Sequence, residues 1–203
     1  MSISKVDICN LALSRLAISS TVENIDNPQK KEERVFKKWY DVSRATAIKL
    51  MKPSFAKKRD IWAKAVHEPA FGFINAYKYK NECLRILGIG NLYEKTNNYS
   101  IEGSFLLTNA DYSEGLPVRY LVDINDPDKY PPDFIQLFSW QLAYDVCPEM
   151  SNSREKFSDI SNLLPLKIAQ YCGTDAQESP PIRIVRSGLR QARRGFGTLG
   201  SKP

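Results

Sequence analysis

The chain of 203 residues has a single histidine, His67, and it lacks the motifs that carry most enzyme chemistry. Acid–base or nucleophilic catalysis at neutral pH most often recruits histidine. The surroundings of His67, "AKAVHEPAFG", hold no nucleophile elbow, so a turn or surface histidine is expected. One histidine and four scattered cysteines offer no paired spacing for zinc. "GIG" at 88–90 is not a dinucleotide fingerprint, because its third glycine would fall at Tyr93, and no Walker sequence is present. The acidic stretch "DINDPDKYPPDF" places Asp123, Asn125 and Asp126 close together. It carries Asp128 and Phe134 where a calcium loop needs glycine and glutamate. Glu102 and Asp133 are what remains for a glycosidase-like carboxylate pair, and spacing in sequence does not bring them together. These absences predict a protein that is not an enzyme and uses no metal or other cofactor.

No apolar run approaches the 18 residues of a membrane span, and "MSISKVDICNLALSRLA" has an acid where a signal peptide would be apolar, so a soluble, unprocessed chain is expected. The four cysteines (Cys9, Cys83, Cys147, Cys172) form no C-x-x-C. Three lie in apolar periodic segments, which points to reduced core thiols and a cytoplasmic site of synthesis. The last 24 residues, "PPIRIVRSGLRQARRGFGTLGSKP", contain no acidic residue, five arginines and one lysine, and therefore hold the whole net charge of +6. Residues 1–179 are formally neutral, with 29 − 6 = 23 Lys and Arg against 23 Asp and Glu. Such a Pro-, Gly- and Arg-rich segment buries too little apolar surface to offset its ordering entropy. An extended basic arm that orders on a partner is expected, the partner being nucleic acid, an acidic protein groove or a neighbouring subunit.

The body divides by period. Ser4 stands three residues before Asp7, and Val6, Cys9, Leu13 and Leu16 follow at helical spacing. Asn27 and Pro28 read as the cap and first position of a second helix, with Val35, Phe36, Trp39, Val42 and Leu50 as its apolar stripe and Pro53 as its end. Alternation then replaces this period. Residues 99–107 read as one strand with Tyr99, Ile101, Gly103, Phe105 and Leu107 on one face, and 118–124 as another. "FINAYKY" and "ECLRILGI" are further strands, Asn97-Asn98 a turn and "NADYSEG" a loop. The aromatic residues Trp62, Phe71, Phe73, Tyr77, Tyr79, Tyr93 and Tyr99 lie among lysines and could stack bases, though the alternation places most of them in a core or interface.

"DFIQLFSWQLAYDVC" is a helix apolar nearly all round, stopped by Pro148. The last helix carries Phe157, Ile160, Leu164, Ile168 and Tyr171, with Pro165 expected to kink or split it and Gly173 to cap it. The fold class is α+β: a bundle of about four helices (1–53 plus 130–178), an inserted antiparallel β region (54–129) and an extended basic arm (179–203).

The segments "DICNLALSRLA", "VFKKWYDVSRATAIKL" with "FAKKRD", "NAYKYKNECLRIL", "YSIEGSFLLTN" and "VRYLVDINDPDKYPPDFIQLFSWQLA" follow one another in a set order. In that order the chain resembles the head-to-tail adaptor family of podoviruses, the tail tubular protein A or gatekeeper group. These segments span about residues 5–145. The chain departs from the family pattern at Ala17, where relatives tend to have glycine, at "KYK", where they tend to have proline, and at Pro165.

The resemblance implies a virion protein made in the host bacterial cytoplasm. It implies a ring, commonly of twelve copies, bound under the portal protein, extending the channel for genomic double-stranded DNA and carrying the tail nozzle protein. It also implies a C-terminal segment that reaches the portal or an adjacent subunit. Arg183, Arg186, Arg190, Arg193 and Arg194 would then be charged anchors, with Leu189 and Phe196 among the apolar knobs. Two other functions stay open. One is a nucleic-acid-binding module with a basic arm, for which neutralising about five phosphates predicts a salt slope near −4 to −5. The other is an accessory peptidoglycan hydrolase of the tail.

Overall fold

The computed structural model describes residues 3–66, 68–90, 98–151 and 153–178. The first helix, α1 (Lys5–Arg15), starts as its sequence indicates. Ser4 Oγ accepts from the Asp7 backbone N–H at 3.1 Å, and the Asp7 carboxylate accepts from the Ser4 N–H at 2.9 Å. It ends on Ala17, which takes the left-handed φ of 51°. The Ile18 N–H donates to the Leu13 carbonyl and the Ala17 N–H to that of Ser14, a closure that normally recruits glycine. Alanine therefore keeps the turn at a steric cost.

The second helix, α2 (Lys31–Met51), begins three residues after the proline expected to open it. Glu33 decides this. Its carboxylate accepts from the N–H groups of Glu23, Asn24, Gln29 and Lys30 at 2.7–3.3 Å, satisfying donors at the helix start that Asn27 would otherwise have had to reach. Of the expected stripe, Val35 and Phe36 are buried and Trp39 packs partly buried on the core, but Val42 and Leu50 are exposed, and the buried face continues along Tyr40, Ala47, Ile48 and Met51 instead. Lys52 closes the helix in left-handed geometry just before Pro53.

Among the described residues six strands follow: β1 (Lys57–Trp62), β2 (Asn75–Lys78), β3 (Cys83–Ile89), β4 (Tyr99–Glu102), β5 (Phe105–Thr108) and β6 (Leu116–Val122). They form two antiparallel sheets, in the orders β1-β6-β3 and β2-β5-β4. The span expected as one strand over 99–107 is a hairpin. Glu102 pairs with Phe105, and Gly103 takes φ 57° at the first of two loop positions, where glycine reverses the chain without a Cβ clash. Beyond the hairpin Leu106, Leu107 and Thr108 are buried, so the alternation continued through Gly103 only by coincidence of spacing. "NADYSEG" is the β5–β6 loop, and Asn97 lies outside the described residues.

The β1-β6-β3 sheet is a wall shared by two cores. Along β6, Val118, Tyr120 and Val122 face an outer core with Trp62, Tyr77, Leu106 and Leu116, while Leu121 joins the helical core. In β3 the outward set is Cys83, Ile86 and Ile89, a spacing of three. Two register shifts against β6, at Cys83/Arg85 and Ile86/Gly88, account for it, since each bulge adds a residue and turns the next side chain back to the same face.

The third helix, α3 (Pro132–Met150), is the hub and packs on α1, on α2 and on α4 (Arg154–Glu178). Phe134 and Phe138 lie fully buried with Tyr40, Phe55 and Tyr130 around them at centroid separations of 4.9–6.4 Å. Such edge contacts add about 0.5–1.5 kcal/mol each to the burial of the rings. Pro148 lies inside the last turn of α3 rather than stopping it, and α4 runs through both Pro165 and Gly173. Ile160, Leu164 and Tyr171 are buried on one side of α4, and this packing outweighs the hydrogen bond that Pro165 removes. Among the described residues no helix is long and apolar enough to cross a membrane. Cys9, Cys83 and Cys147 are buried free thiols and Cys172 is an exposed one.

Candidate functional site

Arg183, Arg186, Leu189, Arg190, Arg193, Arg194 and Phe196, the residues expected to bind a partner, lie outside the described residues, as do His67 and Tyr93. The body is therefore read for what it presents. Glu102 ends β4, where it accepts from Ser100 Oγ, and Asp133 sits in the first turn of α3. Both are exposed, and the cleft lined by Asp133 does not include Glu102. Among the described residues no group of three or more His, Cys, Asp or Glu is placed to hold a metal.

The polar groups that the fold does perturb are occupied in holding it. Asp60 is lowered by its bond from Lys80, Glu82 by Lys58 and the Tyr120 hydroxyl, and Glu149 by Lys38 and Trp39. Backbone N–H groups of Lys30, Gln29 and Glu23 hold Glu33 at about 2. Each of these carboxylates is pushed toward a permanent anion, opposite to what a general acid requires. Burial raises the thiols of Cys9, Cys83 and Cys147, which makes them poor nucleophiles.

A second buried charge beside that of Glu33 is Arg44, in the middle of α2. Its Nε and Nη2 donate to the two oxygens of Asp123 at 2.8 and 2.9 Å, and its Nη1 donates to Asp41 at 2.5 Å. Burial alone would lower its pKa, but the two carboxylates outweigh that and raise it. Asp123 is the first residue after β6, so this fork fastens the exit of the β region to α2. Arg44 falls on the same helical face as Tyr40, Ala47, Ile48 and Met51, and a lone arginine on an apolar stripe is the signal that would have revealed it.

No protein-family model and no curated protein matches this chain.

Among the described residues, apolar side chains stand uncovered in several places, two of them clustered. The connection from β1 to β2 exposes Val66 by 95%, Phe71 by 89% and Ile74 by 66%, an apolar tip beyond the outer core. Of the aromatic residues considered for base stacking, Trp62 and Tyr77 are fully buried, and Tyr79 and Tyr99 pack on the outer core. Only Phe71 is exposed outright among those described. On the far side of the helical body, α2, α3 and α4 enclose a groove of about 600 Å³. Leu50, Tyr144, Leu164, Pro165 and Ile168 line it, with Asp145 and Gln141 also in its lining. Its residues come from three separate stretches of sequence, so no local pattern announces it.

Proposed function

We propose that the chain is a non-enzymatic structural adaptor of a phage head-to-tail junction, assembling as a ring under the portal protein. The ring would extend the DNA channel and form the platform for the tail nozzle. The observation that carries the reading is the order of elements: two helices, a β excursion between α2 and α3, two more helices and a basic segment beyond α4. Two further features favour it. The perturbed carboxylates serve as caps and ion pairs rather than as acids, and apolar side chains stand uncovered at the β tip, which suits a subunit with neighbours. In this reading Arg183, Arg186, Arg190, Arg193 and Arg194 engage acidic groups of the portal or of a neighbouring subunit, and Leu189 and Phe196 fill apolar pockets beside them. A modest contact per arm becomes tight when summed around a ring.

Mixing the purified protein with its portal and imaging by negative stain tests the class. A ring added below the portal is expected, and portal particles that never gain density would overturn the proposal. Deleting residues 180–203 is expected to abolish docking while leaving a folded body.

A further inference from the structure

We propose that the groove between α2, α3 and α4 is a receptor for an arginine of the chain's own C-terminal segment, docked back on the same molecule, with Arg186 the residue best placed to fill it. This stands whether or not the protein is a head-to-tail adaptor, because it rests on acceptors that the fold leaves without a cation. The Asp145 carboxylate accepts from Ser43 Oγ at 2.6 Å and from Gln141 Nε2 at 3.1 Å, both neutral donors. None of the ion pairs among the described residues involves it. Gln141 is only 3% exposed, and its buried Oε1 has no hydrogen-bond partner. The Asp145 carboxylate thus lines an apolar-walled groove with no cation among the described residues, and the unsatisfied Gln141 oxygen lies buried in the same lining residue set.

Few groups match that combination. A guanidinium offers five N–H donors in a plane, sheds water more readily than an ammonium, and can fork a carboxylate while its stem packs on apolar walls. The walls ask for apolar residues beside it. Residues 179–203 supply both, with five arginines, no acid, and Ile184, Val185 and Leu189 flanking Arg186.

The chain is long enough to reach. The α4 lining of the groove ends at Ala169, nine residues before the end of the helix at Glu178, a distance of about 14 Å at 1.5 Å per residue. Arg186 lies eight residues past Glu178, and eight extended residues span up to about 26–29 Å. The segment can therefore fold back along the groove, whose far end at Ser161 lies about 26 Å from Glu178 along the helix, within that span. A partner that binds the arm would have to draw it out first, which makes the groove a competitor for whatever the arm binds.

The test is limited trypsin digestion of the full-length protein, following by mass the fragments that begin at Ser187 and Gln191. Cleavage of this kind tracks the undocked population when opening is fast. Losing a charge-assisted bond is expected to raise that population about tenfold or more, so Asp145→Asn should release the fragments faster by that factor. Arg186→Gln changes no residue that lines the groove and should speed release of the Gln191 fragment equally, with no further gain when the two changes are combined. Thr46→Arg, which supplies a guanidinium from the groove wall, should displace the arm in the same way. Protection is expected to persist on dilution. Equal release from wild type, Asp145→Asn and Arg186→Gln would overturn the proposal. Protection that disappears on dilution would overturn it too, and would assign the groove to the arm of a second copy.

Discussion

Removing Asp123 should damage the protein more than removing Arg44, although the two form one ion pair. Arg44 is 3% exposed as a residue, while the Asp123 side chain retains 30% of its exposure and that of Asp41 73%. Asp123→Ala strands a buried guanidinium that has lost two charge-assisted hydrogen bonds and keeps only Asp41, at the solvent edge. Breaking a buried pair in this sense costs about 3–5 kcal/mol. Arg44→Met leaves two carboxylates that water can reach, and the methionine occupies the space of the arginine stem, so about 1–2 kcal/mol is expected. Urea unfolding followed by circular dichroism separates the two. With a slope of about 2–3 kcal/mol per molar, the midpoint should fall by about 1–2 M for Asp123→Ala and by less than about 1 M for Arg44→Met. The double variant should be more stable than Asp123→Ala alone, since no buried charge is then left without a partner. If Arg44→Met proves as damaging as Asp123→Ala, the stranded-cation argument is wrong, and the arginine matters through its packing.

Other outcomes follow from the same geometry. The folded-state pKa of Glu33, about 2, lies below its ordinary value of 4.5, so its contribution to stability is complete above about pH 4.5 and is lost as pH falls toward 2. Glu33→Gln should lower the urea midpoint at pH 7 and flatten its decline across that acid window, and an unchanged decline would refute the assignment. A Cβ on Gly115, at φ 104°, would lie 2.8 Å from both Ile61 Cγ2 and the Trp62 carbonyl oxygen. Gly115→Ala should therefore cost about 2 kcal/mol or more in thermal or urea unfolding. Gly103→Ala, also at positive φ but with no heavy atom within 4 Å of the added carbon, should cost about 1–2 kcal/mol and be the milder of the two. Ala17→Gly should leave stability unchanged or raise it by up to about 1 kcal/mol, because relief of the left-handed strain is partly offset by the entropy glycine loses on folding. A loss above that size would show that the Ala17 methyl packs usefully.

Local chemistry made some of this fold legible and tertiary geometry hid the rest. Ser4 and Asp7 could be read because both halves of a capping box lie within four residues. The start of α2 could not, because Glu33 gathers N–H groups from as far back as Glu23, and nothing in "NIDNPQKKEE" ranks that reach above the local pull of Asn27-Pro28. The closure at Ala17 has no local mark, since such a turn normally carries glycine, and only the family resemblance points to the position. Pro165 and Gly173 mark a kink or split and a cap by their own propensities, yet α4 is unbroken through both, with Ile160, Leu164 and Tyr171 packed on one side. Strand types were clear from alternation, but the hairpin at Gly103 kept the alternation in phase and so concealed itself. For the candidate site the limit is different in kind. Arg186 and its neighbours stand out in composition, whereas Asp145 and Gln141 look like ordinary polar positions of a helix until α2 and α4 close around them.

The hub position of α3 has a consequence for how this protein is made. α1 and α2 rest on a helix that begins only at Pro132, and residues 52–131 must be synthesised in between. At about 5–20 residues per second, that is about 4–16 s during which the apolar faces of Phe36, Tyr40 and Ile48 have no native cover. The outer β core can close within that interval, since its strands all lie between Lys57 and Val122. The nascent chain thus matures from the middle outward, and its helical half depends on its last third to be protected from aggregation.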